Sequence, residues 1–160
     1  TDSQIAEAVS TVHMNSRRQA TRNEVANYTS PDIQYIGEKC FGYSGQKNVK
    51  SAEGTQTLFE FSTGPNFVCI DFNMTDGDSW SSGQNLGLNI YLNEIMVVDF
   101  RITPNTAYND MMDIPSAKLL IPPFTLFKAT AASNIDSNHY VTGWFVGQVY
   151  TGAERIQGSI

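Results

Sequence analysis

Four stretches of this chain alternate apolar and polar residues with the two-residue period of a strand that buries one face. In Phe67 to Met74, Val68, Ile70, Phe72 and Met74 share one side, while Cys69, Asp71 and Asn73 share the other. Leu86, Leu88, Ile90 and Leu92 line one side of the next, with Asn89 and Tyr91 opposite. Thr55 to Ser62 places Thr57, Phe59 and Phe61 together, and Leu58 and Glu60 on the reverse. Tyr140 to Tyr150 sets Val141, Phe145 and Val149 on one side with Gly143 and Gly147 between them. Its other side carries Tyr140, Thr142, Trp144, Val146, Gln148 and Tyr150, so both faces of this uncharged stretch are rich in apolar or aromatic groups.

Between these stretches the turn-forming residues fall where strands must end. Ile33 to Gly37 and Lys39 to Tyr43 read as extended, punctuated by Gly37, Gly42 and Gly45. Gly64-Pro65-Asn66 is a turn. Asn93-Glu94 separates Leu92 from the run Ile95 to Phe100, which predicts a tight hairpin. The apolar run beginning at Lys118 meets Pro122-Pro123, and proline has no N–H for a sheet ladder, so a corner is expected there before the next strand. Thr103 to Pro115 is a long polar loop holding Met111 and Met112, of a length that usually serves function or an interface.

The count from Lys39 to Tyr150 is about eight short strands, which predicts an all-β, antiparallel two-sheet β-sandwich, with the eight-stranded jelly roll as the commonest form. An immunoglobulin-like sandwich competes, but its core tryptophan between two cysteines is missing, since no Trp lies between Cys40 and Cys69. The beginning of the chain is different. Thr1 to Asn27 reads as a helix with a thin apolar stripe of Ile5, Ala8, Val9 and Val12, ended before Pro31. A stripe this narrow does not hold a helix alone and is expected to dock on a partner surface or stay mobile. The expected division is therefore an N-terminal helical arm, residues 1–30, and a β-sandwich domain, residues 31–160.

Composition narrows the function classes. Hydrophobic residues make up 41% and charged residues only 16% of the chain, so the surface is hydrogen-bonding more than ionic. A net charge of −6 argues against nucleic acid as a partner, since phosphate binding uses clustered Lys and Arg. No apolar run approaches the ~18 residues of a membrane span, and no signal peptide is visible. Cys40 and Cys69 are the two cysteines; one disulfide between them is possible, and two buried free thiols are the favoured reading.

Three segments then acquire a meaning together. Tyr91-Leu-Asn-Glu-Ile-Met-Val-Val-Asp99, Leu119-Leu-Ile-Pro-Pro-Phe-Thr125 and Thr142-Gly-Trp-Phe-Val-Gly-Gln-Val-Tyr150 resemble, in order and spacing, small jelly-roll head-decoration or minor capsid proteins of tailed bacteriophages and related viruses. Tyr35-Ile-Gly-Glu38 followed by Gly42-Tyr-Ser-Gly45 is similar to the start of that fold. The resemblance covers roughly residues 33–150 and excludes the arm. It implies a structural protein of the virion and not an enzyme, one that binds the outer shell and associates with itself.

Catalytic and metal chemistry find little support. The two histidines, His13 and His139, are far apart in sequence, whereas a cupin-type metal site gathers several imidazoles. No Gly-x-Ser-x-Gly elbow is present, and His139 reads as a surface or edge residue. Asp71, Asp76 and Asp78 offer hard oxygens for Ca²⁺, but without the spacing of an EF-hand, and a plain turn at Gly77 is favoured. No metal and no cofactor is expected. Trp80, in a loop rich in Asp, Ser and Gly, is either a platform for a sugar ring or a side chain folded back over the sandwich edge.

The expected function is a structural virion protein that decorates or cements a viral capsid through self-association and shell contacts. The alternative is a carbohydrate- or receptor-binding module of a virion. Ile5, Val9 and Val12 of the arm, Tyr140, Trp144 and Tyr150 of the last strand, and Met111 and Met112 of the long loop are the interface candidates. Trp80 is the ligand-binding candidate. The expected partners are copies of the chain itself and a viral major capsid protein, with neither nucleic acid nor a membrane. The expected location is the capsid surface, after assembly in the host cytoplasm.

Overall fold

The computed structural model describes residues 31–76, 80–103 and 116–151. Within them lie nine strands: β1 (Gln34–Ile36), β2 (Lys39–Asn48), β3 (Gln56–Ser62), β4 (Phe67–Asp76), β5 (Leu86–Leu92), β6 (Ile95–Ile102), β7 (Ala117–Ile121), β8 (Leu126–Ser133) and β9 (Tyr140–Tyr150). The arm candidates Ile5, Val9 and Val12 and the loop candidates Met111 and Met112 lie outside the described residues. No helix among the described residues is long and apolar enough to cross a membrane.

The strands form a five-stranded sheet in the order β1-β2-β9-β4-β7 and a four-stranded sheet in the order β3-β8-β5-β6, with every pair antiparallel. The pairings β5·β6, β4·β7, β3·β8 and β2·β9 are those of one long hairpin folded at Asn93-Glu94. Rolling that hairpin brings β4 against β9 and β5 against β8, and the result is a jelly roll. The eight strands predicted from Lys39 onward are β2 to β9, with β1 added at one edge. Asn93 and Glu94 have φ of 49° and 68°, the left-handed pair that a two-residue hairpin turn needs to match strand twist.

The alternating apolar sides meet in the middle. Val68, Ile70, Phe72 and Met74 of β4 and Leu86, Leu88 and Ile90 of β5 are buried, as their spacing predicts. Phenylalanines from four strands interlock across the gap between the sheets. Phe59 meets Phe145 edge-on at 5.0 Å and Phe72 at 5.9 Å, while Phe61 stacks on Phe127 at 4.7 Å. In β3 the predicted alternation fails at Thr57 and Leu58: Thr57, expected beside Phe59, pairs with Thr130 on the outer face. The register shifts between Thr57 and Phe59, so Leu58, expected on the reverse side, is as deeply buried as Phe59. A bulge puts two neighbours on one face, which no period-two pattern anticipates.

Cys40 and Cys69 are both free. Cys40 faces the core from β2, whereas Cys69 lies half-buried on the outer side of β4, with β9 between the two strands. Two inter-strand steps put their Cα atoms roughly 10 Å apart, beyond disulfide reach. Burial, and secondarily the neighbouring Cys69, push the Cys40 thiol up to about 12, so it stays protonated and inert.

Candidate functional site

Two features of the sandwich stand out chemically: an outer sheet face and a buried polar cluster. The outer face belongs to the five-stranded sheet. β9 runs through it between β2 and β4, and its alternation sends Val141 and Phe145 inward to the core. The inward glycines make room for this packing. A Cβ on Gly147 would collide with the Cys69 carbonyl oxygen and lie 2.9 Å from the Ile70 Cα, and one on Gly42 would lie 2.6 Å from the Phe145 ring.

The outward residues of β9 fall into rows with those of its neighbours, because directly paired residues share a face. One row is Tyr43, Trp144 and Asn73; the next is Phe41, Val146, Asp71 and Lys118. Tyr43 is 41% and Val146 44% exposed, Trp144 and Phe41 are half-buried, and the Phe41 and Tyr43 rings lie 5.9 Å apart. Ile36 and Leu120, both exposed, end the following row at the two edges of the sheet, with Lys39, Gln148 and Cys69 between them. The three β9 candidates thus share a face but are not one cluster. Tyr140 pairs with Asn48 at one end and Tyr150 with Phe67 at the other, roughly 33 Å apart at the rise of a strand. Trp144 stands between them, within the compact group that includes Phe41, Tyr43 and Val146. Sequence reasoning missed Phe41 and Tyr43, whose place beside Trp144 depends on the β2–β9 register.

The buried cluster closes the opposite end of the sandwich from the Asn93-Glu94 turn. His139 Nε2 lies 2.7 Å from Asp76 Oδ2, and Trp80 Nε1 donates to the same oxygen. The indole and imidazole centroids are 4.2 Å apart. These residues come from the end of β4, the approach to β5 and the approach to β9, so the cluster ties three connections together. Backbone bonds from Val49 N to His139 O and from Ser51 N to Ile135 O bind the β2–β3 connection to the same place.

Both sequence expectations for these residues change. His139, expected at the surface or an edge, is buried, because it continues the inward parity of Val141 and Phe145. Trp80 is 1% exposed, so it offers no ring face to a sugar; it is folded into the sandwich, the other arrangement its sequence allowed. Asp76 is buried by continuing the inward parity of Val68 to Met74, and it spends an oxygen on His139 and Trp80. The Asp76 side chain has no exposed surface and that of His139 only 4%, so a substrate has no approach to the pair. Its chemistry is that of a satisfied polar core. Among the described residues no three His, Cys, Asp or Glu side chains gather as a metal site.

No protein-family model matches the chain, and no curated protein sequence matches it. Solved structures do match it. The VP2 subviral particle of infectious bursal disease virus is 15% identical over 75% of this chain and 35% of that one, with a TM-score of 0.42. The T13 viral particle of the same virus is 16% identical over 72% of this chain and 32% of that one, with a TM-score of 0.41. The Gx strain structure is 14% identical over 74% and 35%, with a TM-score of 0.40. The chain thus spans about a third of the length of each. A likeness of this degree concerns chain path, and no function is taken from it.

Proposed function

We propose that this chain is a structural subunit of a virus particle, one that decorates or cements a capsid by associating with copies of itself. The observation that carries the reading is the outer face of the five-stranded sheet, where Phe41, Tyr43, Trp144 and Val146 form a contiguous, solvent-facing aromatic group. A sandwich strand needs only one apolar face to fold. Aromatic groups on the second face bury area at low entropic cost in a contact between proteins. A second copy of the chain is the occupant assigned to that face. Jelly-roll topology and the resemblance of the Tyr91–Asp99, Leu119–Thr125 and Thr142–Tyr150 segments to capsid decoration proteins support the viral setting. In this reading Ile5, Val9 and Val12 attach the arm to the shell's major capsid protein, Met111 and Met112 add to subunit contacts, and the protein resides on the virion after assembly in the host cytoplasm.

Mass measurement and electron microscopy of the purified full chain over a wide concentration range test the proposal. A closed oligomer of defined size is expected. A monomer at every concentration, together with no binding to preformed shells, would contradict it.

A further inference from the structure

The edge strand β6 carries a second, separate contact. Its inner side pairs with β5, while its outer edge has no strand against it among the described residues. Such an edge presents a row of backbone donors and acceptors suited only to another extended chain. Its side chains do little to discourage that. Ile95, Met96 and Val97 are 69%, 45% and 47% exposed, and the strand contains neither proline nor lysine. The one irregularity, an extra residue in β6 opposite the Ile90/Tyr91 step, lies at the hairpin end and leaves Val98 to Ile102 regular. Val98, Phe100 and Ile102 face the core, yet each stays only partly buried.

Charge decides the partner. Asp99 and Arg101 point to the outer face, opposite Asn89 and Gly87 of β5, and neither forms an ion pair among the described residues. In an antiparallel pairing of β6 with its own copy about a two-fold axis, opposed residues share a face, so the axis must pass through a residue. An axis at Asp99 opposes Asp99 to itself, and one at Arg101 opposes Arg101 to itself. An axis at Val98 sets both charges against apolar residues. Only the axis at Phe100 sets Asp99 against Arg101 twice, with Val98 opposite Ile102 and the two Phe100 rings facing each other.

We infer that β6 pairs antiparallel with β6 of a second copy of this chain, in the register centred on Phe100, joining two four-stranded sheets into one of eight strands. This contact is distinct from the aromatic face, and the two are separable by experiment. In full-length protein, Asp99→Arg alone and Arg101→Asp alone each turn both ion pairs into like-charge pairs. Each is expected to weaken the β6 dimer roughly tenfold to a hundredfold by sedimentation equilibrium. The double variant Asp99→Arg/Arg101→Asp restores the opposition and is expected to recover the dimer. Val146→Glu, on the other sheet, serves as the background in which β6 pairing is the remaining contact. If that background is dimeric and the charge series behaves as described, the inference holds. If it is monomeric, β6 does not pair, and if the double variant is as weak as the single ones, the register is wrong; the aromatic-face reading stands or falls on its own measurement.

Discussion

The two outer faces of the sandwich follow the same alternation and end up chemically opposite. On the four-stranded sheet the outward rows are Thr57, Thr130, Asn89 and Asp99, then Ala132, Gly87 and Arg101, then Glu60, Lys128, Tyr91 and Met96. Apart from Tyr91 and Met96 at the hairpin end, these are hydrogen-bonding, charged or small side chains, suited to solvent. On the five-stranded sheet the central rows hold Tyr43, Trp144, Phe41 and Val146, with Asn73 and the Asp71–Lys118 pair at their β4 and β7 ends. Each sheet buries an apolar inner face, so folding alone does not account for the difference on the outer ones. The contrast points to a selective requirement on one surface, which is why the five-stranded face is assigned a partner and the four-stranded face is left to water.

The largest effect expected from testing that contrast comes from a glycine on each sheet. Gly147→Ala drives a methyl group into the Cys69 carbonyl and the Ile70 backbone, so β9 must shift against β4. The loss should be about 3 kcal/mol or more in denaturant unfolding, with the aromatic rows disordered. Gly87→Ala meets nothing closer than 3.8 Å on the polar face. It should leave stability unchanged or raise it by up to about 1 kcal/mol. Equal costs at the two sites would mean that the packing described for β9 is wrong.

Asp76→Ala comes next. It removes the acceptor shared by His139 and Trp80 inside the sandwich, and about 3 kcal/mol of stability should go with it. Because the cluster lies apart from both faces, self-association of the fraction that remains folded should be unaffected. Loss of association without loss of stability would instead give the cluster a role in contact.

A further effect is a pH dependence from the inner side of the five-stranded sheet. Cys40 holds its proton up to about 12 in the folded protein, against its ordinary 9.0. The folded state therefore binds more protons than the unfolded one between those values, and stability declines as pH rises through that window. Tyr35, raised to about 12 mainly by burial, adds a decline of the same sign. Cys40→Ala should make the alkaline decline shallower without abolishing it. An unchanged slope in thermal unfolding between pH 9 and pH 12 would show that the thiol is not the group responsible.

Much of the architecture is legible in local pattern. Val68 to Met74 and Leu86 to Ile90 announce their buried sides by parity, Pro122-Pro123 marks the corner between β7 and β8, and Asn93-Glu94 marks the hairpin from which the roll is wound. What resists reading depends on partners distant in sequence. Leu58 turns inward because of a bulge defined only by pairing with β8, about seventy residues later. Asp76 and His139 are separated by 63 residues. Their inward parity was present in the sequence, but a polar residue at the end of an apolar stripe reads as solvent-facing until its partner is known. Phe41 and Tyr43 joined the aromatic group only when β2 was placed beside β9, across about a hundred residues. The site is half legible: Trp144 and Val146 are read from their own strand, while Phe41 and Tyr43 depend on its pairing with β2.

The central claim is that the aromatic face of the five-stranded sheet is a contact between copies and the polar face is not. Sedimentation equilibrium of two full-length variants, each placing one negative charge on one face, tests it most directly: Val146→Glu beside Trp144, and Thr57→Glu beside Thr130. Val146→Glu is expected to lower the mass of the assembled species while its folded stability stays within about 1 kcal/mol of the parent, and Thr57→Glu to leave the mass unchanged. Equal masses for the two variants, or a loss confined to Thr57→Glu, would contradict it.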